Sequence, residues 1–173
     1  MKADQLRRLI RDVPDFPKTG IVFRDVTPLL LEPVALEGAV EALTAPFRDQ
    51  RVDRVLGIES RGFMLGAPVA LSLGVGFGLV RKAGKLPYQT HRVSYDLEYV
   101  TDTVEMHVDT VEKGHRVLIV DDLIATGGTA AAAVKLARDA GGDVIGCSFL
   151  IELTALKGRE RLDVEPVHTV IRY

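Results

Sequence analysis

VLIVDDLIATGGT, residues 117–129, is the stretch whose reading decides the fold. Val117 to Val120 is strictly apolar, as a strand covered on both faces requires, and such strands belong to parallel sheets packed between helices. The strand is expected to end at Asp121 and Asp122, and an alanine-rich helix from Thr129 to Ala140 to follow, closed by Gly141 and Gly142. Working outward, Arg54–Ile58, Gly62–Leu73 and Gly76–Val80 read as strand, helix and strand, one complete βαβ unit. Val144–Ile151 and Val167–Ile171 read as two more strands.

The period changes between Lys82 and Asp109. Val93, Tyr95, Leu97 and Tyr99 alternate with polar residues, as do Val104, Met106 and Val108, which predicts an antiparallel hairpin. The link from Lys82 to Arg92 contains Gly84 and Pro87 and little apolar periodicity, so a mobile connection suited to a lid is expected there. Toward the N-terminus, Leu6, Leu9, Ile10 and Val13 follow Asp4, a plausible N-cap, and a loop with Pro14, Pro17 and Gly20 leads to Ile21, Val22 and Phe23. A further helix starts at Pro33 with a stripe of Leu36, Ala39, Val40, Leu43 and Phe47, and Pro46 should end or kink it. The expected architecture is α/β, a mostly parallel sheet flanked by helices with a small hood and a flexible hairpin lid.

With 173 residues, the chain has room for one domain, residues 1–173, and little more. The composition, 47% hydrophobic and 27% charged, is that of an ordinary globular protein that needs no disulfide or metal to fold. Its 22 basic and 24 acidic residues sum to −2, which excludes the broad basic field of a general nucleic-acid binder. Cys147 is the only cysteine, so no intramolecular disulfide or cysteine-cluster zinc site can form, and a buried, inert thiol in a reducing compartment is expected. MKADQLRRLIRDV lacks the apolar core of a secretion signal, and no apolar run reaches 18 residues. The expectation is a cytoplasmic protein with no membrane partner.

Chemistry concentrates around the opening stretch. Ligands of open α/β sheets bind at strand ends. Ala125, Thr126, Gly127, Gly128 and Thr129 form a turn whose small residues let backbone N–H groups converge at a helix N-terminus, with two hydroxyls to help: a phosphate cradle. Two adjacent carboxylates sit badly beside a phosphate, so Asp121 and Asp122 suit neutral donors such as a ribose cis-diol. Competing motifs fail. A P-loop around Gly84 and Lys85 would need glycine where Leu79 stands and Ser or Thr where Leu86 stands. Gly74, Gly76 and Gly78 precede a strand instead of a helix, and Ile58 occupies the first glycine position of a GxSxG elbow at Ser60. His91, His107, His115 and His168 show no metal-cage spacing.

A hydrophobic strand, two acids and such a small-residue loop resemble the hallmark of the type I phosphoribosyltransferase family. The segments GIVFRD (20–25), GIESRGF (57–63), RKAGKLP (81–87), SYDLEY (94–99) and ELTALKGR (152–159) further resemble the members that act on adenine, and the likeness covers nearly the whole chain. The resemblance implies transfer of phosphoribosyl from phosphoribosyl pyrophosphate to adenine, giving AMP and pyrophosphate. It implies that Asp121 and Asp122 hold the ribose hydroxyls and that residues 125–129 hold the 5-phosphate. Phe23 and Leu123 would sandwich adenine, with backbone atoms of Val22 and Arg24 reading its edge. Arg61, Arg81, Lys82 and Lys85 would surround the pyrophosphate, Arg81 reaching from a neighbouring subunit of a homodimer. A non-proline cis peptide is implied in the turn before Arg61. Catalysis is implied for Arg61, Lys82 and Glu98, the last as the proton-handling group. Mg2+ is the implied cofactor, held mainly through substrate and water, without a protein metal site.

Family members acting on 6-oxopurines carry Asp where this chain has Ala125, which is why another carboxylate, Glu98, is needed. One departure stands out: glycine commonly follows LEY, and this chain has Val100. Two alternatives stay open on the sequence: a 6-oxopurine enzyme of the same family, and a non-catalytic regulator sensing a purine or phosphoribosyl pyrophosphate.

Overall fold

A computed structural model describes residues 1–96 and 101–173. Glu98 and Val100 therefore lie outside the described residues.

The chain opens with α1 (Ala3–Arg7). Its cap is Lys2, not Asp4, because the Gln5 side chain reaches back to accept the Lys2 backbone N–H at 2.9 Å and places Asp4 inside the first turn. Next come β1 (Arg11–Pro14) and β2 (Val22–Asp25), which pair antiparallel with Val13 opposite Phe23. This ribbon and α2 (Thr27–Leu31) were not legible as elements, since four or five residues among prolines carry no period. Then α3 (Pro33–Thr44) starts at its proline and gives way to a 3₁₀ turn, Ala45–Phe47, around Pro46.

β3 (Arg54–Ile58), α4 (Arg61–Leu73) and β4 (Gly76–Lys82) form the first βαβ unit, β3 and β4 lying parallel. β5 (Thr90–Asp96) and β6 (Thr101–His107) make the antiparallel hairpin, and β6 docks antiparallel on β4. β7 (Arg116–Ile124), α5 (Gly128–Asp139), β8 (Asp143–Glu152) and β9 (Val167–Arg172) complete the chain. β7 does not stop at the acidic pair. Strand extent is set by backbone pairing with β8, and Leu123 and Ile124 still face Ile151 and Glu152.

The seven-stranded sheet runs β5-β6-β4-β3-β7-β8-β9. Along β7, Val117 and Ile119 pack with α5 residues such as Ala133 and Leu136, while Leu118 and Val120 pack with Leu43, Leu65 and Val69 on the other face. Cys147 is fully buried, and burial pushes its thiol up to about 12, so it is inert at neutral pH.

Order within the sheet also places the site. β3 connects through α4 to β4 on one side, while β7, its other neighbour, connects through α5 to β8 on the opposite side. Right-handed crossovers then put α4 and α5 on opposite faces, so the chain segments leaving β3 and β7 diverge and leave a crevice between the strand ends.

Candidate active site

That crevice holds a cavity of about 380 Å³. Asp121 and Asp122 line it, near the end of β7. Asp122 is 4% exposed and pairs with Nε of Arg61, the first residue of α4. Burial, and then the neighbouring Asp122 charge, hold the Asp121 carboxyl well above the ordinary carboxylate range. Asp121 accepts the Asp122 backbone N–H at 2.8 Å and Asp122 accepts from Arg61, and the remaining lone pairs of the two carboxyls can accept from a diol. The Arg61 guanidinium lies 5.2 Å from the centre of the Phe23 ring, linking the acidic pair to β2, and Phe16 packs edge-on against Phe23 at 5.3 Å.

Residues 125–129 wall one side. Gly127 has φ +80°, and a side chain there would run into the carbonyl oxygen of Gly158, so this turn needs glycine twice over. The turn delivers the chain into α5 with the first backbone N–H groups of the helix unpaired by the helix itself, the donors a phosphate needs.

The opposite wall is basic. Lys82, at the end of β4, gives its Nζ to Asp102 at 2.7 Å. Tyr95 donates its hydroxyl to Asp102 at 3.3 Å and sits 3.0 Å from the Thr129 hydroxyl, so a chain of contacts crosses the cavity from β4 to α5. The Asp102 hydrogen bond raises the Lys82 ammonium, and Lys82 in turn lowers the Asp102 carboxyl. Behind them, Glu59 accepts from Arg81 Nε at 3.1 Å, from the Lys82 backbone at 3.1 Å and from Lys85 Nζ. Burial pushes Glu59 up, and these donors, Lys85 foremost, more than reverse it. The peptide between Glu59 and Ser60 is cis, as the resemblance implies.

Arg61, Lys82, Asp121, Asp122, Leu123 and the 125–129 loop thus come together on one cavity. Phe23 stands beside it through Arg61. Arg81 and Lys85 are one step back, behind Glu59. Val22 is 44% exposed on β2, and the Arg24 side chain turns away to stack 4.0 Å from the Tyr173 ring and pair with Asp12. Tyr95, Asp102 and Glu59 are polar residues of this cavity to which sequence reasoning gave no role. Tyr95 and Asp102 are cross-strand partners, a signal available only once the hairpin register is known.

A family model described as the phosphoribosyl transferase domain matches residues 34–170. The chain belongs to the phosphoribosyl transferase family. Among phosphoribosyl transferases it is 55% identical over 168 residues, 97% of each chain, to a protein of Solibacter usitatus named adenine phosphoribosyltransferase. A crystal structure of the adenine phosphoribosyltransferase of Rhodothermus marinus matches with TM-score 0.95 at 57% identity, covering 99% of this chain and 98% of that one. The Saccharomyces cerevisiae adenine phosphoribosyltransferase, solved with an imino-altritol bisphosphate and adenine, matches with TM-score 0.92 at 40% identity over 97% of each chain. The architecture is therefore the type I phosphoribosyltransferase fold expected from the sequence.

Proposed function

We propose that the chain is an enzyme of purine salvage, a pentosyltransferase that moves 5-phosphoribosyl from phosphoribosyl pyrophosphate to N9 of adenine, releasing AMP and pyrophosphate. The observation that carries this is the shared cavity of the acidic pair and the 125–129 turn, in a chain whose near relatives bear that name. Ala125 favours adenine over a 6-oxopurine, because the carboxylate that 6-oxopurine enzymes carry at this position is missing.

In the reaction the bond from C1′ to the diphosphate oxygen breaks, its electron pair leaving with pyrophosphate, and the N9–C1′ bond forms. Asp121 and Asp122 hold the ribose hydroxyls, and residues 125–129 hold the 5-phosphate. Phe23 and Leu123 flank the purine, and the backbone of Val22 and Arg24 reads its edge. Arg61, Lys82, Lys85 and Arg81 meet the leaving diphosphate, where charge develops. Glu98 hydrogen-bonds adenine N7 and takes the proton from that nitrogen as N9 attacks C1′. The hood, from residues 1–30 and roughly 82–110 of a single domain over 1–173, closes over the site and excludes water.

Among the described residues no group of three His, Cys, Asp or Glu side chains could hold a metal ion, and the cavity's carboxylates at 102 and 122 are already paired with Lys82 and Arg61. That donor set fits Mg2+ arriving on diphosphate oxygens and water, which would neutralise the leaving group. A homodimer in the cytoplasm, with Arg81 near a neighbour's site, completes the reading. Val34 and Leu71, 68% and 81% exposed on neighbouring helices, support association, which sedimentation would measure.

The test is direct: adenine, Mg2+ and phosphoribosyl pyrophosphate should yield AMP and pyrophosphate together, with hypoxanthine much slower. Equal turnover of hypoxanthine would overturn the adenine reading. Glu98→Gln should lower kcat by about 100-fold; unchanged turnover would remove Glu98 from the chemistry.

A further inference from the structure

Glu105 of β6 is a carboxylate with only 1% of its side chain exposed, away from the cavity. Its neighbours Val104 and Met106 point into the core, so Glu105 points to the other face of the hairpin. There it lies between two arginines in cross-strand register, Arg81 on β4 and Arg92 on β5. The segment after β4 folds over it. The backbone N–H groups of Lys85 and Leu86 donate to Oε1 at 3.1 and 3.0 Å, and Gly84 adds a third. The Thr90 hydroxyl donates to Oε2 at 3.4 Å, and Arg92 Nε stands 3.1 Å from the same oxygen.

A buried carboxylate without donors is costly, and here every donor but Arg92 comes from residues 84–90. Gly84 makes the convergence possible: its φ of +82° turns the chain so that three successive N–H groups form a concave nest around an anion. Burial pushes the Glu105 carboxyl up, but the N–H groups of Leu86, Gly84 and Lys85, with Arg92, hold it below the usual carboxylate value. The segment expected to be a loose connection is thus tied to the hairpin at residues 84–86 by the Glu105 side chain.

What hangs on that turn is one part of the basic wall, Arg81 and Lys85. The Lys85 carbonyl accepts from Arg81 Nη1 at 3.1 Å, and Lys85 Nζ and Arg81 Nε both meet Glu59. We propose that Glu105 is a positioning residue for the phosphoribosyl donor: by fixing the 84–86 turn it aims Lys85 and Arg81 at the diphosphate, without touching substrate itself. This rests on the reading of Lys85 and Arg81 as diphosphate-binding groups.

The experiment is steady-state kinetics of Glu105→Gln, Lys85→Ala and the double variant, with each substrate varied in turn. Glu105→Gln should raise KM for phosphoribosyl pyrophosphate by about tenfold and leave KM for adenine within about twofold. The double variant should be less impaired than the two single effects multiplied together, since Glu105 acts in part through Lys85. Lys85→Ala with an unchanged donor KM overturns the diphosphate reading and this inference with it. A raised KM in Lys85→Ala but not in Glu105→Gln, additive effects, or an equal rise in both KM values overturns the positioning role alone. Hydrogen exchange on the unmodified protein decides the matter should Glu105→Gln not fold: the Lys85 and Leu86 amides should exchange at least about tenfold slower than in an unfolded chain, and unprotected amides overturn the proposal.

Discussion

The turn at 125–129 and the basic side chains of Arg61 and Lys82 line the same cavity, with Arg81 and Lys85 behind them on Glu59, but turn and wall are built of different material. The turn offers backbone N–H groups, held in place by Gly127 packing on Gly158, and carries no formal charge. The wall offers side chains, each already matched with a carboxylate: Arg61 with Asp122, Lys82 with Asp102, Arg81 and Lys85 with Glu59. The first is shaped by backbone alone, whereas the second, on the proposed reading, would trade carboxylate oxygens for substrate oxygens. A chain of net charge −2 can therefore receive a ligand with three phosphates, because the charge it needs is local and balanced in place.

The largest expected effect strikes the preformed side. Gly127→Val forces a branched side chain into a left-handed turn and against Gly158, which should cost about 1–3 kcal/mol of stability from the backbone alone. It should also lower kcat/KM for phosphoribosyl pyrophosphate by more than about 100-fold, since the proposed cradle depends chiefly on backbone position. Denaturation and initial rates measure both. A variant as active as the parent would show that the turn does not bind phosphate.

This contrast also explains what could be read from the residues alone. The β7–α5 stretch is local: an apolar run, two acids and small residues stand next to each other, and only the true end of β7 was missed, because β8 sets it. The basic residues were equally visible. Their partners were not, since pairing Lys82 with Asp102, or the 84–86 turn with Glu105, requires the hairpin register across about twenty positions. The β1–β2 ribbon hid for a related reason, as its pairing partners are too short to show a period.

Asp122→Asn comes next in size. It removes a carboxylate that meets both Arg61 and the expected ribose, so KM for phosphoribosyl pyrophosphate should rise roughly ten- to thirtyfold with adenine binding little changed. An unaltered KM would detach the acidic pair from the ribose.

Asp121→Asn should separate stability from function. Unfolded, Asp121 titrates near 3.8; folded, burial and Asp122 raise it. Across that window the folded chain holds a proton that the unfolded chain has released, so this group's contribution to stability falls as pH rises. Asparagine does not titrate, so the variant should gain in Tm over the parent as pH climbs from about 4 to neutrality, while losing donor affinity. On the basic wall the sign reverses: Glu59 and Asp102 are lowered on folding, so their contribution is complete above their unfolded values of 4.5 and 3.8 and is lost as acid protonates them. A lower Tm for Asp121→Asn at neutral pH would contradict the assignment.

The smallest effect should come from Asp102→Asn. The Lys82 side chain is 57% exposed, so water screens the pair, and breaking it should change stability by less than about 1 kcal/mol. Lys82 would then be free to meet the diphosphate without first leaving a partner, but it would also lose the guide that aims it across from Thr129. These two consequences oppose each other in donor KM, so the expected shift is only about two- to fivefold, set against the hundredfold loss at Gly127. Salt distinguishes them from a purely structural change: a screened pair should matter less at 1 M salt than at 0.1 M, so the difference between variant and parent should shrink as salt is added. A difference that persists at high salt would mean that Asp102 acts through the Tyr95 hydroxyl, and that the basic wall, like the turn, is partly fixed before substrate binds.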